Sequence, residues 1–171
     1  VHGSPSTAMP RGAAQIVARL ATENKIHGVI SLGGGGGTAI ATAAMRALPI
    51  GFPKLMVSTL ASGQTAHYVG TTDIIMMPAI VDVAGINRVS RAIFENAAGA
   101  ICGMVAAAER RRTAPAPDKP LIVASMFGNT TECVTACSAA LSEKGYEVLV
   151  FHATGTGGRT MESLVRDGLV E

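Results

Sequence analysis

The stretch Gly28-Val29-Ile30-Ser31-Leu32-Gly33-Gly34-Gly35-Gly36-Gly37-Thr38 decides how the rest of the chain is read. Residues 28–32 predict a short strand. Five glycines follow and remove every Cβ from the turn. Residues 38–48 then read as a small-residue helix, stopped by Pro49. A strand, a glycine turn and a helix in that order make a βα unit. Its backbone N–H groups can wrap an anion while the helix N-terminus adds partial positive charge. Thr38 can cap that helix, touch a phosphate or ligate a metal. The plain alternative is a tight turn that lets helix and sheet pack closely.

Outward from this unit the same alternation continues. Residues 10–24 predict a helix with Ala13, Ile16, Val17 and Leu20 on one face. Residues 54–59 and 73–77 predict two more strands, apolar throughout as strands covered on both faces should be. A polar loop, 60–72, lies between them. Residues 86–109 predict a long helix with the core ladder Val89, Ile93, Ala97, Ile101 and Val105. Residues 110–119, three arginines and then a Pro-rich run, read as a linker. Beyond it come a strand (121–126), a turn (127–130), a helix (131–144) with Val134, Cys137 and Leu141 inward, a strand (146–151), a Gly/Thr loop (152–158) and a helix (159–167). The expected fold class is therefore α/β, two Rossmann-like three-layer subdomains with mainly parallel sheets. They would occupy 1–109 and 120–171, joined by the linker 110–119. Three strands and two strands fall short of the usual sheet of about five. Both subdomains are thus expected to be incomplete, with the remainder of the same polypeptide missing. The chain starts Val1-His2-Gly3-Ser4, which reads as a tag scar or a missing true start.

Composition bounds the function. Apolar residues make up 48% of the chain and charged residues only 15%, enough for a real core and too ordered for general disorder. A net charge of +2 is too small to argue for nucleic acid. The longest apolar run, 97–108, is short of the roughly 18 residues a membrane helix needs. Neither a membrane partner nor a signal peptide is expected. The 3 cysteines make no disulfide framework or zinc site, which points to a reducing, cytoplasmic setting.

Which anion would the glycine turn take? The P-loop needs Lys and then Ser/Thr after its last glycine, and here Thr38 and Ala39 follow. The dinucleotide fingerprint can be forced through Gly34, Gly36 and Ala39, but the next strand ends Val57-Ser58-Thr59-Leu60 without the acid that would hold a ribose. Residues 24–72 contain no Asp or Glu, yet carry Lys25, Arg46 and Lys54. That segment suits an anionic ligand and disfavours NAD. The loop 58–68, leaving the adjacent strand with Ser62, Gly63, Gln64 and His67, is placed to face the glycines. Asp73 and Asp82 are the first acids afterwards; either is a candidate for Mg²⁺, a hard cation that takes carboxylate oxygen, although such acids more often cap helices or sit in salt bridges. In the second half, Asn129 and Glu132 fit a capping box. The run from His152 to Thr160, with Gly155, Thr156, Gly157, Gly158 and Arg159, is a second candidate anion site. Cys133 and Cys137 read as packing residues, and Arg110, Arg111 and Arg112 complement a helix dipole. No nucleophile–base arrangement stands out.

The glycine turn 33–38, Met56-Val57-Ser58-Thr59-Leu60-Ala61-Ser62-Gly63, Val81-Asp82-Val83-Ala84-Gly85-Ile86-Asn87, Met126-Phe127-Gly128, Thr130-Thr131 and Phe151-His152-Ala153-Thr154-Gly155-Thr156-Gly157-Gly158 together resemble one family. It is the ATP-binding-domain family of the tomato mosaic virus resistance protein, the Tm-one type, and the resemblance runs from about residue 11 to 171. It implies two α/β subdomains that share a nucleotide site, ATP with Mg²⁺ as ligand, and a tendency to dimerise. It also implies that the plant member blocks viral RNA replication by binding the viral replication protein, a role that need not extend to a bacterial-looking chain. The family begins with further α/β units and continues past residue 171. It commonly has Asp-Gly where this chain has His27-Gly28.

The expected ligand site thus comprises Gly33, Gly34, Gly35, Gly36, Gly37 and Thr38 around phosphates. Ser62, Gly63, Gly128, Thr130, Thr131, Gly155, Thr156, Gly157 and Gly158 would close it, and Asp82 is the metal candidate. Catalytic residues remain unassigned. Two other functions fit the same residues: an enzyme acting on ATP or a phosphorylated small molecule, and a protein-interaction module with a structural glycine turn.

Overall fold

A computed structural model describes residues 5–114 and 119–170. The chain is mixed α/β with parallel sheets and helices between the strands. It divides into two compact units, Val1–Pro115 and Ala116–Glu171. Residues 1–4 and the linker positions 115–118 lie outside the described residues.

The first unit runs α1 (Pro5–Thr22), β1 (Val29–Gly33), α2 (Gly35–Met45), β2 (Lys54–Ser58), α3 (Ala66–Val69), β3 (Ile75–Pro78) and α4 (Arg88–Thr113). Its sheet has the order β1-β2-β3, parallel throughout, with Leu55 opposite Ile30 and Ile75. β2 is buried at all five positions, as a strand covered on both faces must be. One face packs Leu55 and Val57 against Ala97 and Ile101 of α4; the other packs Met56 against Met45 of α2. The flanking strands do not share that burial. Ile30 and Leu32 of β1 are exposed, and so is Ile75 of β3, so of the two strands expected to be covered on both faces only β2 is.

Charge is also built into this core. Lys54 is completely buried, and its Nζ donates to the carbonyls of Pro49 (2.7 Å) and Phe52 (3.0 Å) and pairs with Asp73 (2.7 Å). Asp73 accepts in turn from the Gly51 N–H at 2.8 Å. One lysine therefore ties the turn before β2 to the start of β3.

α4 is capped by Asn87, whose side chain accepts from the N–H groups of Val89 and Ser90 at 2.9 Å while the Ser90 hydroxyl accepts from the Asn87 N–H. By length and composition α4 could cross a membrane. Its contacts are those of a helix covering a sheet, with Ala97 and Ile101 in the core. Val89 is exposed, so the core ladder begins at Ile93. The helix runs on to Thr113, and Arg110, Arg111 and Arg112, expected at the head of the linker, form its last turn. There Arg112 donates both its Nε and its Nη2 to Glu109. That hydrogen bonding holds the Glu109 carboxyl below its ordinary value. A lowered carboxyl stabilises the fold above its unfolded pKa, and the contribution is lost as pH falls through the folded value. The pair is solvent-exposed. Glu109→Gln is therefore expected to leave the thermal midpoint at neutral pH unchanged within error, as for most exposed pairs.

The second unit runs β4 (Leu121–Met126), a 3-10 turn (Gly128–Thr130), α5 (Thr131–Glu143), β5 (Glu147–His152) and α6 (Gly157–Arg166). β4 and β5 are parallel, Leu121 opposite Glu147 and Met126 opposite His152. α5 turns Val134, Ser138 and Leu141 toward the sheet side and leaves Cys137 exposed, contrary to expectation.

Candidate functional site

Because β1, β2 and β3 are parallel, their carboxyl ends share one edge of the first unit. Gly33, Ser58 and Pro78 stand in register there. The glycine turn, the 59–65 loop and the 79–87 loop all leave from that edge, which is where open α/β sheets place ligands.

The glycines are arranged differently from the expected open loop. α2 begins at Gly35, with Gly34 as its N-cap in extended geometry and no side-chain cap. Gly35, Gly36 and Gly37 thus form the first helical turn. The first amide with a backbone acceptor is that of Thr38, which donates to the Gly34 carbonyl at 2.8 Å. Among the described residues, the N–H groups of Gly35, Gly36 and Gly37 have no acceptor, as the first amides of an uncapped helix must. Gly33 is closely packed, since a Cβ there would lie 3.2 Å from the Gly37 Cα, a backbone atom. The next three are not. None has a positive φ. A Cβ on Gly36 would meet nothing within 4 Å, and on Gly35 or Gly37 only ordinary contacts at 3.8 and 3.9 Å.

Thr38 has another role than the one anticipated. It is completely buried, and its hydroxyl lies 2.7 Å from the Ser58 hydroxyl, which also accepts the Leu60 N–H at 3.0 Å. Thr38 pins α2 to the end of β2, leaving neither its N–H nor its hydroxyl for a phosphate or metal. Asp73 likewise leaves the site, since it sits at the opposite, amino-terminal edge with Lys54.

Thr59 links the glycine turn to the next loop. Its N–H donates to the Gly33 carbonyl at 3.2 Å, and its hydroxyl lies 3.6 Å from where a Cβ on Gly34 would be. Two open clefts flank this loop. One, about 500 Å³, is lined by Thr59, Ser62, Pro78, Ile80, Val81 and Asp82. The other, about 360 Å³, holds Ser62, Gly63, Gln64, His67 and Tyr68. His67 and Tyr68 belong to the short helix α3, which interrupts what the sequence reads as continuous loop. A third cavity, about 230 Å³ and lined in part by Ile26, His27, Phe52 and Val105, lies at the amino-terminal edge, away from these loops.

Ile80 escaped the sequence reading. It has φ +64° in a three-residue turn closed by the Val81 N–H on the Ala79 carbonyl (2.7 Å). A β-branched residue in that region costs about 1–3 kcal/mol. The side chain is 75% exposed, so burial does not offset the strain. No composition signal marks such a position, because glycine or asparagine is what the conformation favours.

In the second unit, the ends of β4 and β5 again share an edge. The Thr130 hydroxyl donates to the Phe127 carbonyl (2.8 Å) and accepts its N–H (3.1 Å), and the Thr131 hydroxyl donates to the Gly128 carbonyl (2.9 Å). Both threonines are engaged in their own turn, and Asn129 belongs to the 3-10 turn instead of capping α5. α6 begins at Gly157, with Thr156 as N-cap and Gly155 at φ +71°. A Cβ on Gly157 would overlap the His152 carbonyl oxygen, whereas one on Gly158 would meet nothing. Gly157→Ala is therefore expected to destabilise the protein by about 3 kcal/mol, at the upper end for overpacking because the obstacle is backbone. Gly158→Ala should be neutral or stabilising. A denaturant titration of both variants checks this pair. Gly157 is thus accounted for by packing alone.

Among the described residues no group of three His, Cys, Asp or Glu side chains is fit to hold a metal. Asp82 stands alone in its cleft, its Oδ1 accepting the Val83 N–H at 2.8 Å.

Parallel strands with uncapped helix starts at their carboxyl ends place the chain among the α/β proteins that present backbone amides at a sheet edge. The chain belongs to the UPF0261 family: residues 2–110 match its N-terminal domain and residues 119–171 its C-terminal domain, both described as of an uncharacterised protein family. It is 57% identical over 150 residues to a UPF0261 protein of Mesorhizobium japonicum, covering 87% of this chain and 36% of that protein. It is 53% identical over 172 residues to a UPF0261 protein of Clostridium tetani, covering 99% and 41%. It is 48% identical over 151 residues to the ToMV resistance protein Tm-1 of Solanum lycopersicum, covering 87% and 20%. The chain thus spans less than half the length of each of these relatives.

Proposed function

We propose that this chain contributes a nucleotide site, with the phosphates of ATP held by the amides of Gly35, Gly36 and Gly37 at the start of α2. One observation carries the reading: three glycines occupy a helical turn whose backbone conformation and surroundings do not require glycine. Each costs about 0.5–1 kcal/mol against alanine. A ligand that approaches the backbone within hydrogen-bond distance gives that cost a purpose. Three free N–H groups and the dipole's partial positive charge suit an anion, and residues 24–72 carry no carboxylate to repel it. Ser62 and Gly63, on the neighbouring loop, border the same edge. Mg²⁺ would enter on the phosphates, keeping most of its waters, as that ion does in nucleotide sites.

The test is calorimetric titration of ATP, with and without Mg²⁺, into the full-length protein. Saturable heat that is lost on blocking the start of α2 supports the proposal. Absence of heat in both titrations ends it.

A further inference from the structure

We infer that the cleft between the 59–62 and 78–82 segments takes the sugar of the nucleotide, with Asp82, Thr59 and Ser62 on its hydroxyls and Ile80 as the apolar wall beside it. This rests on the phosphate reading above and deepens it. Neighbouring parallel strands lie about 4.8 Å apart, so the ends of β1 and β3 are about 10 Å apart, a distance a nucleotide spans between its phosphates and its sugar. Thr59 joins the two places, bonded to Gly33 on one side and lining the cleft on the other.

The donor set suits a sugar better than a metal. A carboxylate only accepts, and a sugar diol offers two O–H donors; the hydroxyls of Thr59 and Ser62 both give and take. Dinucleotide folds place an acid at a strand end on the ribose. That acid is missing after β2 and present after β3, as Asp82. A cation would find one carboxylate, already accepting from Val83. The strained turn at Ile80 holds an apolar side chain out in solvent at the cleft, where the fold itself draws no packing from it.

The experiment titrates full-length protein and its D82N variant with ATP, 2′-deoxy-ATP and inorganic tripolyphosphate, each with and without Mg²⁺. The variant side chain retains the oxygen that accepts from Val83, so the loop is preserved. The inference expects ATP to bind at least tenfold tighter than tripolyphosphate. It expects D82N to weaken ATP about tenfold while leaving tripolyphosphate unchanged, whether or not Mg²⁺ is present. It also expects the preference for ATP over the deoxynucleotide to shrink. A loss confined to the Mg²⁺ titrations assigns Asp82 to the metal and overturns the inference. So does an equal loss for ATP and tripolyphosphate, or no loss at all; in each case the phosphate reading stands. If neither phosphate ligand binds, the phosphate reading falls, and adenosine alone decides the cleft. Failure of adenosine to bind, or binding indifferent to D82N, then overturns the inference as well.

Discussion

Gly36→Asp is expected to remove the proposed nucleotide binding while leaving the fold at least as stable as before. The added carboxylate would stand among the three free amides, in open space, and take the place of a phosphate oxygen. Exchanging an attracted anion for a fixed like charge should cost a hundredfold or more in affinity, about 2.7 kcal/mol. Folding gains instead, because an acid in the first turn of a helix contributes about 0.3–1 kcal/mol. Gly36→Ala separates the two effects. It should raise stability by about 0.5–1 kcal/mol, and weaken ATP only as far as its methyl group holds the phosphates off the amides. Calorimetry and denaturant titration of the two variants read opposite signs. A Gly36→Asp protein that binds ATP normally would be incompatible with phosphates on this turn.

Lys54→Met should produce a large stability loss in the first unit without any backbone clash. The methionine retains most of the buried stem and loses the charge. The carbonyls of Pro49 and Phe52 and the carboxylate of Asp73 then lose a shared donor. Breaking a fully buried ion pair costs about 3–5 kcal/mol. Asp73 is 41% exposed, so water recovers part of that, and about 2–3 kcal/mol is the expected loss by denaturant titration. Asp73→Asn should cost less, about 1 kcal/mol, because its single amide oxygen keeps one of the two acceptors, toward Lys54 or toward Gly51, and water reaches the half-exposed side chain at the other. Equal losses in the two variants would show that the pair acts as a unit, against this account.

The architecture was legible because its signals are local and repeated. The apolar run at 54–58 and the glycines after residue 32 report burial on two faces and a sharp turn, and neither needs long-range information. The two helices that follow glycine turns begin earlier than the sequence reading places them. Glycine reads as a breaker, so α2 was expected at 38 and α6 at 159, while the helices begin at Gly35 and Gly157. Propensity gives way at a helix start, where the amides lack partners in any case. Thr38 was misread for a related reason: three residues of earlier helix turn its side chain inward, onto Ser58. The pairing of Lys54 with Asp73 and the strain at Ile80 were illegible. One depends on two strands meeting, the other on a backbone angle that an isoleucine should avoid.

The helical glycines and the twisted isoleucine carry a practical consequence for engineering. Substitutions that raise heat resistance in this unit should gather at 35–37 and 80, where the native residue is the poorer choice for folding. A library selected only for survival at high temperature would thereby trace the outline of the proposed ligand's footprint, without any ligand in the assay.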